Sequence, residues 1–147
     1  MKLTKNQIKY YSTNLKSPEV SFREALLSGL APDGGLYMPA TIPEIDIEEI
    51  LSFRSKEYHE IAAAILRSFL NDEIDDKTIG SLCRDAYDFD VPIEKVYDVN
   101  YVLRLDQGPT ASFKDFAARM MARLMHFYIS DGTSHYTILT ATSGDTG

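Results

Sequence analysis

The chain has 147 residues, of which 44% are hydrophobic, so it is long and apolar enough to fold around a core. It carries 15 basic against 22 acidic residues, a net charge of −7. This balance argues against a nucleic-acid partner, because phosphate backbones are bound by basic patches. No stretch approaches the roughly 20 apolar residues of a membrane span and no apolar leader follows Met1. We therefore expect no membrane partner and a cytoplasmic setting.

The first 95 residues carry the signals of a small mixed α/β region. Residues 9–14 favour a strand, and Ser21 with Glu24 has the spacing of a capping box that starts a short helix. Gly29 suits the end of that helix. Further signals predict, in chain order, a turn at 32–35, a strand at 36–38, and helices that begin after Asp46, near Tyr58, and after Asp75 or Asp76.

From Val96 onward the pattern changes to strand, helix, strand. Two short strands around Asn100 are consistent with a hairpin, and a long helix is predicted from about Phe113 to Tyr128. A last strand is predicted at 135–140. This order suggests the opening βαβ unit of a larger parallel sheet. We therefore predict an α/β fold with two parts, residues 1–95 and residues 96–147.

The single cysteine and the three histidines do not suggest a reactive or metal-binding site. Cys83 has no cysteine partner and lies on the apolar side of a predicted helix, so we expect a small core residue. His59, His126 and His135 are far apart and lack metal-ligand spacing, so we expect no metal.

A lysine stands where the long helix is predicted to begin. Ser112 and Asp115 have the spacing of a capping box, which would make Ser112 the N-cap and put Lys114 in the first turn. The positive end of the helix dipole disfavours an ammonium there and so favours the neutral amine, which can attack a carbonyl. An exposed lysine whose charge is offset by Asp115 is the alternative that position alone leaves open.

A glycine-rich loop, Ala-Thr-Ser-Gly-Asp-Thr-Gly at 141–147, follows the last predicted strand. Glycines let backbone amides approach a ligand, and Ser143 and Thr146 add hydroxyl donors, so the loop suits a carboxylate or phosphate. It matches neither a Walker loop nor G-x-G-x-x-G, so specific signs of a nucleotide site are absent. An ordinary strand-to-helix turn is the alternative.

Together with this loop, Gly-Pro-Thr-Ala-Ser-Phe-Lys-Asp-Phe at 108–116 resembles the threonine synthase family of fold-type II pyridoxal 5'-phosphate (PLP) enzymes. Earlier segments fit the same family in the same order, among them Tyr-Ser-Thr at 11–13 and Asp-Gly-Gly-Leu-Tyr-Met-Pro at 33–39. The resemblance therefore covers nearly the whole chain.

The resemblance implies that Lys114 holds PLP as a Schiff base and transfers protons while O-phospho-L-homoserine and water give L-threonine and phosphate. It implies that Ser143, Gly144, Asp145 and Thr146 contact the cofactor. The same loop would contact the substrate carboxylate through Ser143, Gly144 and Thr146.

The sequence departs from the family at three positions and in length. Asp106 and Gln107 stand where many relatives have an aromatic residue and a histidine, and Ser112 where alanine is common, which leaves the subgroup open. Family members are several hundred residues long, so we expect an inactive fragment that is prone to self-association through an unfinished sheet. A related PLP lyase or dehydratase and a non-catalytic folding or interaction module are the alternatives.

Overall fold

A computed structural model describes residues 7–70, 72–130, 136–142 and 144. These described residues form five α-helices and four short strands, which confirms the predicted mixed α/β class. None of the described helices is long and apolar enough to cross a bilayer. The chain divides into two compact units, Met1–Ser81 and Leu82–Gly147. The predicted division after residue 95 concerns the family's domains and stays a prediction.

The first unit opens with a small antiparallel sheet. Strand β1 (Tyr10–Ser12) pairs with β2 (Tyr37–Pro39), so that Ser12 lies opposite Tyr37. The turn before β2 contains Gly34, whose φ of 77° is easily adopted only by glycine. The predicted strands and the turn between them are therefore confirmed.

Helix α1 (Phe22–Ser28) follows β1 and precedes β2 in the chain, and it has the predicted capping box. The Ser21 hydroxyl accepts a hydrogen bond from the Glu24 amide, and the Glu24 carboxylate accepts one from the Ser21 amide. The helix ends at Gly29, which has a φ of 71°. Local sequence predicts both ends of this helix, and the distant Glu73 carboxylate adds a further cap by accepting from amides of its first turn.

Three further helices follow. Helix α2 (Ile47–Ser52) begins after Asp46, whose carboxylate accepts from the Glu48 amide, and α3 spans Tyr58–Leu70. Helix α4 (Asp76–Ala86) crosses the boundary between the units. The buried hydrophobic side chains of the first unit are mostly small or aliphatic: Tyr10, Ala25, Ala31, Ala63, Ala64, Leu70, Ile74 and Ile79.

The second unit contains the predicted hairpin and the predicted long helix. Strands β3 (Ile93–Tyr97) and β4 (Asn100–Leu103) pair antiparallel, and α5 spans Lys114–Ile129. The turn lies at Asp98 rather than around Asn100, which pairs with Tyr97. Asp98 has a φ of 46°, a left-handed conformation that aspartate tolerates better than most residues and that a tight hairpin requires.

The strand predicted at 135–140 is not formed over the part that the structure describes. Residues 136–142 have no regular secondary structure, and Leu139 is 90% exposed. A strand is stable only when its backbone groups pair with a neighbouring strand, which an apolar run does not provide by itself. Among the described residues both sheets are antiparallel pairs, so the predicted parallel βαβ unit is not found there.

Candidate functional site

Lys114 is the first residue of helix α5, and its side chain is half-buried. The prediction that Ser112 is the N-cap is wrong: Phe113 occupies the cap position, has a helical backbone conformation, and makes no side-chain capping bond. The Ser112 hydroxyl accepts only a long hydrogen bond, 3.4 Å, from the Lys114 amide. The predicted capping box does not form because the Asp115 carboxylate is engaged elsewhere.

Asp115 folds back onto the loop that precedes the helix. Its side chain is 6% exposed, and its two oxygens accept from the Thr110 amide at 2.9 Å and the Thr110 hydroxyl at 2.8 Å. Gly108 packs so closely beneath it that an added Cβ would lie 2.8 Å from the Cβ of Asp115. We call residues 108–115 the clamp loop, because Asp115 closes this segment on itself.

The clamp loop contains a left-handed turn. The Ala111 amide donates to the Gly108 carbonyl at 3.0 Å, and Ala111 has a φ of 52°. Residues other than glycine seldom adopt this conformation, which persists only where the surroundings hold it. The backbone immediately before Lys114 is therefore fixed by side-chain contacts and not by local preference.

An aromatic cluster anchors the first turn of α5. The ring centroid of Phe116 lies 5.9 Å from that of Tyr87 and 5.3 Å from that of Phe89. The Tyr87 hydroxyl also donates to the Phe116 carbonyl at 3.2 Å. Because Phe116 is two residues beyond Lys114, this packing holds the helix start in place.

Two arginines fasten the next turns of α5 to the end of α4. Arg119 donates to the Ala86 carbonyl at 2.7 Å and pairs with Asp88 at 2.6 Å, and Arg123 pairs with Asp85. A cation near the C-terminus of a helix satisfies its last carbonyls and its dipole. These contacts were not predicted from the sequence, although two arginines four residues apart lie on one helix face and could have indicated a shared partner.

The structure describes three residues of the terminal glycine loop, Ala141, Thr142 and Gly144. Gly144 has a φ of 129°, which favours glycine, and its amide donates to the Thr142 hydroxyl at 3.2 Å. Ser143, Asp145 and Thr146 lie outside the described residues. A shared site between this loop and Lys114 therefore stays a prediction.

Asp106 and Gln107, the departures from the family pattern, belong to an exposed ion-pair cluster. Arg104 donates twice to the Asp106 carboxylate, at 2.9 and 2.7 Å, and once to Glu94 at 2.7 Å. Gln107 donates to Asp106 at 3.1 Å. Hydrogen bonds from Arg104, and then from Gln107, hold the pKa of Asp106 well below its usual range. Asp106 therefore ties down the chain just after β4.

The single cysteine and the histidines are the remaining candidate side chains. Cys83 is completely buried, which confirms the prediction of a core residue. His59 is half-buried and His126 is exposed, while His135 lies outside the described residues. Within the described ranges there is no cluster of three or more histidine, cysteine or acidic side chains that could hold a metal.

Comparison with known proteins places this geometry in a family. Residues 9–87 match a family model described as the threonine synthase N terminus. Threonine synthase from Pseudomonas aeruginosa is 37% identical over 145 residues, covering 95% of this chain and 31% of the relative. Threonine synthase from Haemophilus influenzae is 40% identical over 137 residues, covering 91% and 31%.

Solved structures give the same result. Threonine synthase from Escherichia coli has a TM-score of 0.84 at 36% identity, covering 94% of this chain and 32% of that chain. The PLP-bound threonine synthase from Brucella melitensis has a TM-score of 0.80 at 37% identity, covering 86% and 28%. The chain spans about a third of the length of these relatives.

Proposed function

This chain belongs to the threonine synthase family, and we propose that it supplies the lysine-bearing third of an enzyme that converts O-phospho-L-homoserine and water to L-threonine and phosphate with PLP. The observation that carries the proposal is the placement of Lys114, a half-buried residue that begins a 16-residue helix directly after a loop closed by Asp115. A lysine amine at such a place can capture an aldehyde covalently.

The surroundings of Lys114 fit PLP in two respects. A primary amine is the group that condenses with the cofactor aldehyde, and the anchored helix start fixes the backbone from which that amine extends. The N-terminal end of α5 also carries a partial positive charge, which favours an anionic cofactor nearby. The PLP-bound relative from Brucella melitensis supports the choice of cofactor.

Lys114 and the terminal glycine loop would have different roles in the reaction. PLP, when bound, supplies an electron sink for negative charge that develops on the substrate. Lys114 holds the cofactor covalently and, once released, moves protons to and from the substrate carbons. The hydroxyls of Ser143 and Thr146 and the Gly144 amide bind the substrate carboxylate, and Ser143, Gly144, Asp145 and Thr146 contact the cofactor.

A chimera tests the proposal. The chain replaces the matching third of the Escherichia coli threonine synthase, whose fold it shares. The purified chimera is checked for a cooperative melt and then assayed for phosphate release and threonine formation. We expect turnover of O-phosphohomoserine, lowered by roughly 10²–10⁴-fold in Lys114→Ala because the amine acts as acid and base. Lys77→Ala, at an exposed residue of helix α4, is the matched control and should keep full turnover.

Two results would count against the proposal. A folded chimera that consumes serine or threonine, but not O-phosphohomoserine, would instead favour a related PLP lyase or dehydratase. Full turnover in Lys114→Ala would remove the lysine from the reaction.

A further inference from the structure

We propose that Asp115 is a positioning residue for Lys114: its buried carboxylate holds the clamp loop closed and thereby fixes the direction from which the lysine amine reaches the reacting atoms. The inference rests on the proposed function of Lys114. Asp115 itself touches neither cofactor nor substrate in this proposal.

The hydrogen bonds of Asp115 point away from its own helix. An aspartate in the first turn ordinarily accepts from amides of that turn. Here both carboxylate oxygens accept from a single residue, Thr110, five positions earlier. Two charge-assisted bonds to one residue fix distance and orientation together, and a carboxylate that is 6% exposed requires such partners.

The rest of the clamp loop leaves little room for another arrangement. Gly108 has no space for a side chain because Asp115 fills it. Ala111 is held in a left-handed conformation that it would leave if the contacts around it were lost. The bond between Asp115 and Thr110 is the side-chain contact that closes this turn, so breaking it frees the backbone before Lys114.

Lys114 is the residue before Asp115 and the first of the helix. The contact between Asp115 and Thr110 therefore sets the position of the Lys114 backbone, from which its side chain extends. On the far side of Lys114, Phe116 packs in the aromatic cluster. Loss of the clamp therefore leaves the helix attached but lets its first residue move. Catalysis by a positioned group falls steeply with small displacements, whereas substrate binding elsewhere does not.

The first experiment uses the 147-residue chain without cofactor. Hydrogen exchange is followed at the amides of residues 110–114 in the wild type and in Asp115→Ala, which removes both acceptors of the Thr110 donors. We expect exchange at these amides to accelerate at least about tenfold, whereas amides in α4, such as that of Cys83, keep their rates.

The second experiment uses the chimera, because it reads function. Asp115→Ala should lower kcat by roughly tenfold to a hundredfold with KM within about twofold. Thr110→Val, which removes only the hydroxyl donor, should lower kcat in the same direction, and Thr110→Ser should restore it. Gly108→Ala should also lower kcat, because its added Cβ would lie 2.8 Å from the Cβ of Asp115 and force the clamp loop apart.

The outcomes separate the inference from the function on which it rests. If Asp115→Ala leaves exchange unchanged, or accelerates exchange without lowering kcat, the positioning role is overturned. Equal loss in Thr110→Ser and Thr110→Val would also overturn it. If the folded wild-type chimera carries no pyridoxyl group on Lys114 after borohydride reduction, the proposed function fails and the inference falls with it, whatever the exchange rates show.

Discussion

Asp33 is a second carboxylate that orders its surroundings through hydrogen bonds. One oxygen accepts from the fully buried Ser12 hydroxyl at 2.6 Å and from the Gly35 amide at 3.0 Å, and the other accepts from the Lys16 amide at 2.9 Å. These bonds, that of Ser12 first, lower the pKa of Asp33 from 3.8 to about 2. The carboxylate thus joins strand β1 to the turn before β2.

This lowered pKa predicts a specific acid sensitivity. The unfolded chain binds the Asp33 proton more tightly than the folded chain, so the stabilisation is complete above about pH 4 and is lost as the pH falls toward about 2. Asp33→Asn should therefore melt below the wild type near neutral pH, and the difference in Tm should shrink as the solution is acidified through this range. Thermal melts followed by circular dichroism measure it.

The matched control for Asp33 is the exposed Asp90, whose conversion to asparagine should leave the melting curve almost unchanged at every pH. A Tm difference between wild type and Asp33→Asn that stays constant from about pH 5 to about pH 2 would contradict the linkage.

Among single residues, the sequence predicted those side-chain contacts that form between neighbours three positions apart. The Ser21–Glu24 capping box is such a case, since both partners are fixed by spacing alone. Ser112 and Asp115 have the same spacing, yet Asp115 bonds Thr110 instead. That choice depends on how the helix start is buried, which spacing does not encode. Asp33 and Ser12 meet across 21 positions, beyond the reach of any local pattern.

The attachment of α5 to α4 is unequal along the helix, and this can be measured. Arg119 satisfies a helix-end carbonyl and an aspartate, and its side chain is 21% exposed. Arg123, whose side chain is 23% exposed, pairs with Asp85 and donates to the Arg119 carbonyl of its own helix. Urea unfolding should show a loss of about 2 kcal/mol for Arg119→Met. The loss for Arg123→Met should be nearer about 0.5–1 kcal/mol.

The comparison needs a control in which charge is kept. Arg119→Lys retains the charge but cannot reach the carbonyl and the carboxylate together, so it should recover only part of the stability. Equal losses for Arg119→Met and Arg123→Met would show that the carbonyl contact contributes nothing.

At the element scale, helices were predicted and strands only partly. The apolar residues of α3 and α5 repeat at helical spacing, and a helix satisfies its own backbone, so the pattern suffices. A strand depends on a partner. The hairpin brings its own partner and forms, whereas the apolar run at 136–139 does not form a strand. The position of the hairpin turn was missed because it depends on the left-handed Asp98.

For the molecule as a whole, the most conspicuous feature is exposed apolar surface. Every residue of β3 and β4 is exposed, and Val99 between them is 86% exposed. A two-stranded hairpin is marginally stable alone, and its free edges and apolar side chains favour pairing with another chain. The relatives are about three times as long as this chain, which is consistent with a surface that is covered in the longer proteins.

We therefore expect the 147-residue chain to self-associate through the hairpin. Light scattering should show a mass that rises with concentration, and Val99→Lys with Val102→Lys should return it toward the monomer by adding repelling charges. Leu15→Lys, an equally exposed site in the first unit, should leave the association unchanged. A monomeric mass at every concentration would refute this expectation.

The proposed function depends above all on Lys114 as the amine that holds PLP. The folded chimera is saturated with PLP, reduced with borohydride, digested, and the pyridoxyl group is located by peptide mass analysis. We expect one pyridoxyl group per chain on the peptide that contains Lys114, and loss of that label in Lys114→Ala. A stoichiometric label on any other lysine, with Lys114 unmodified, would contradict it.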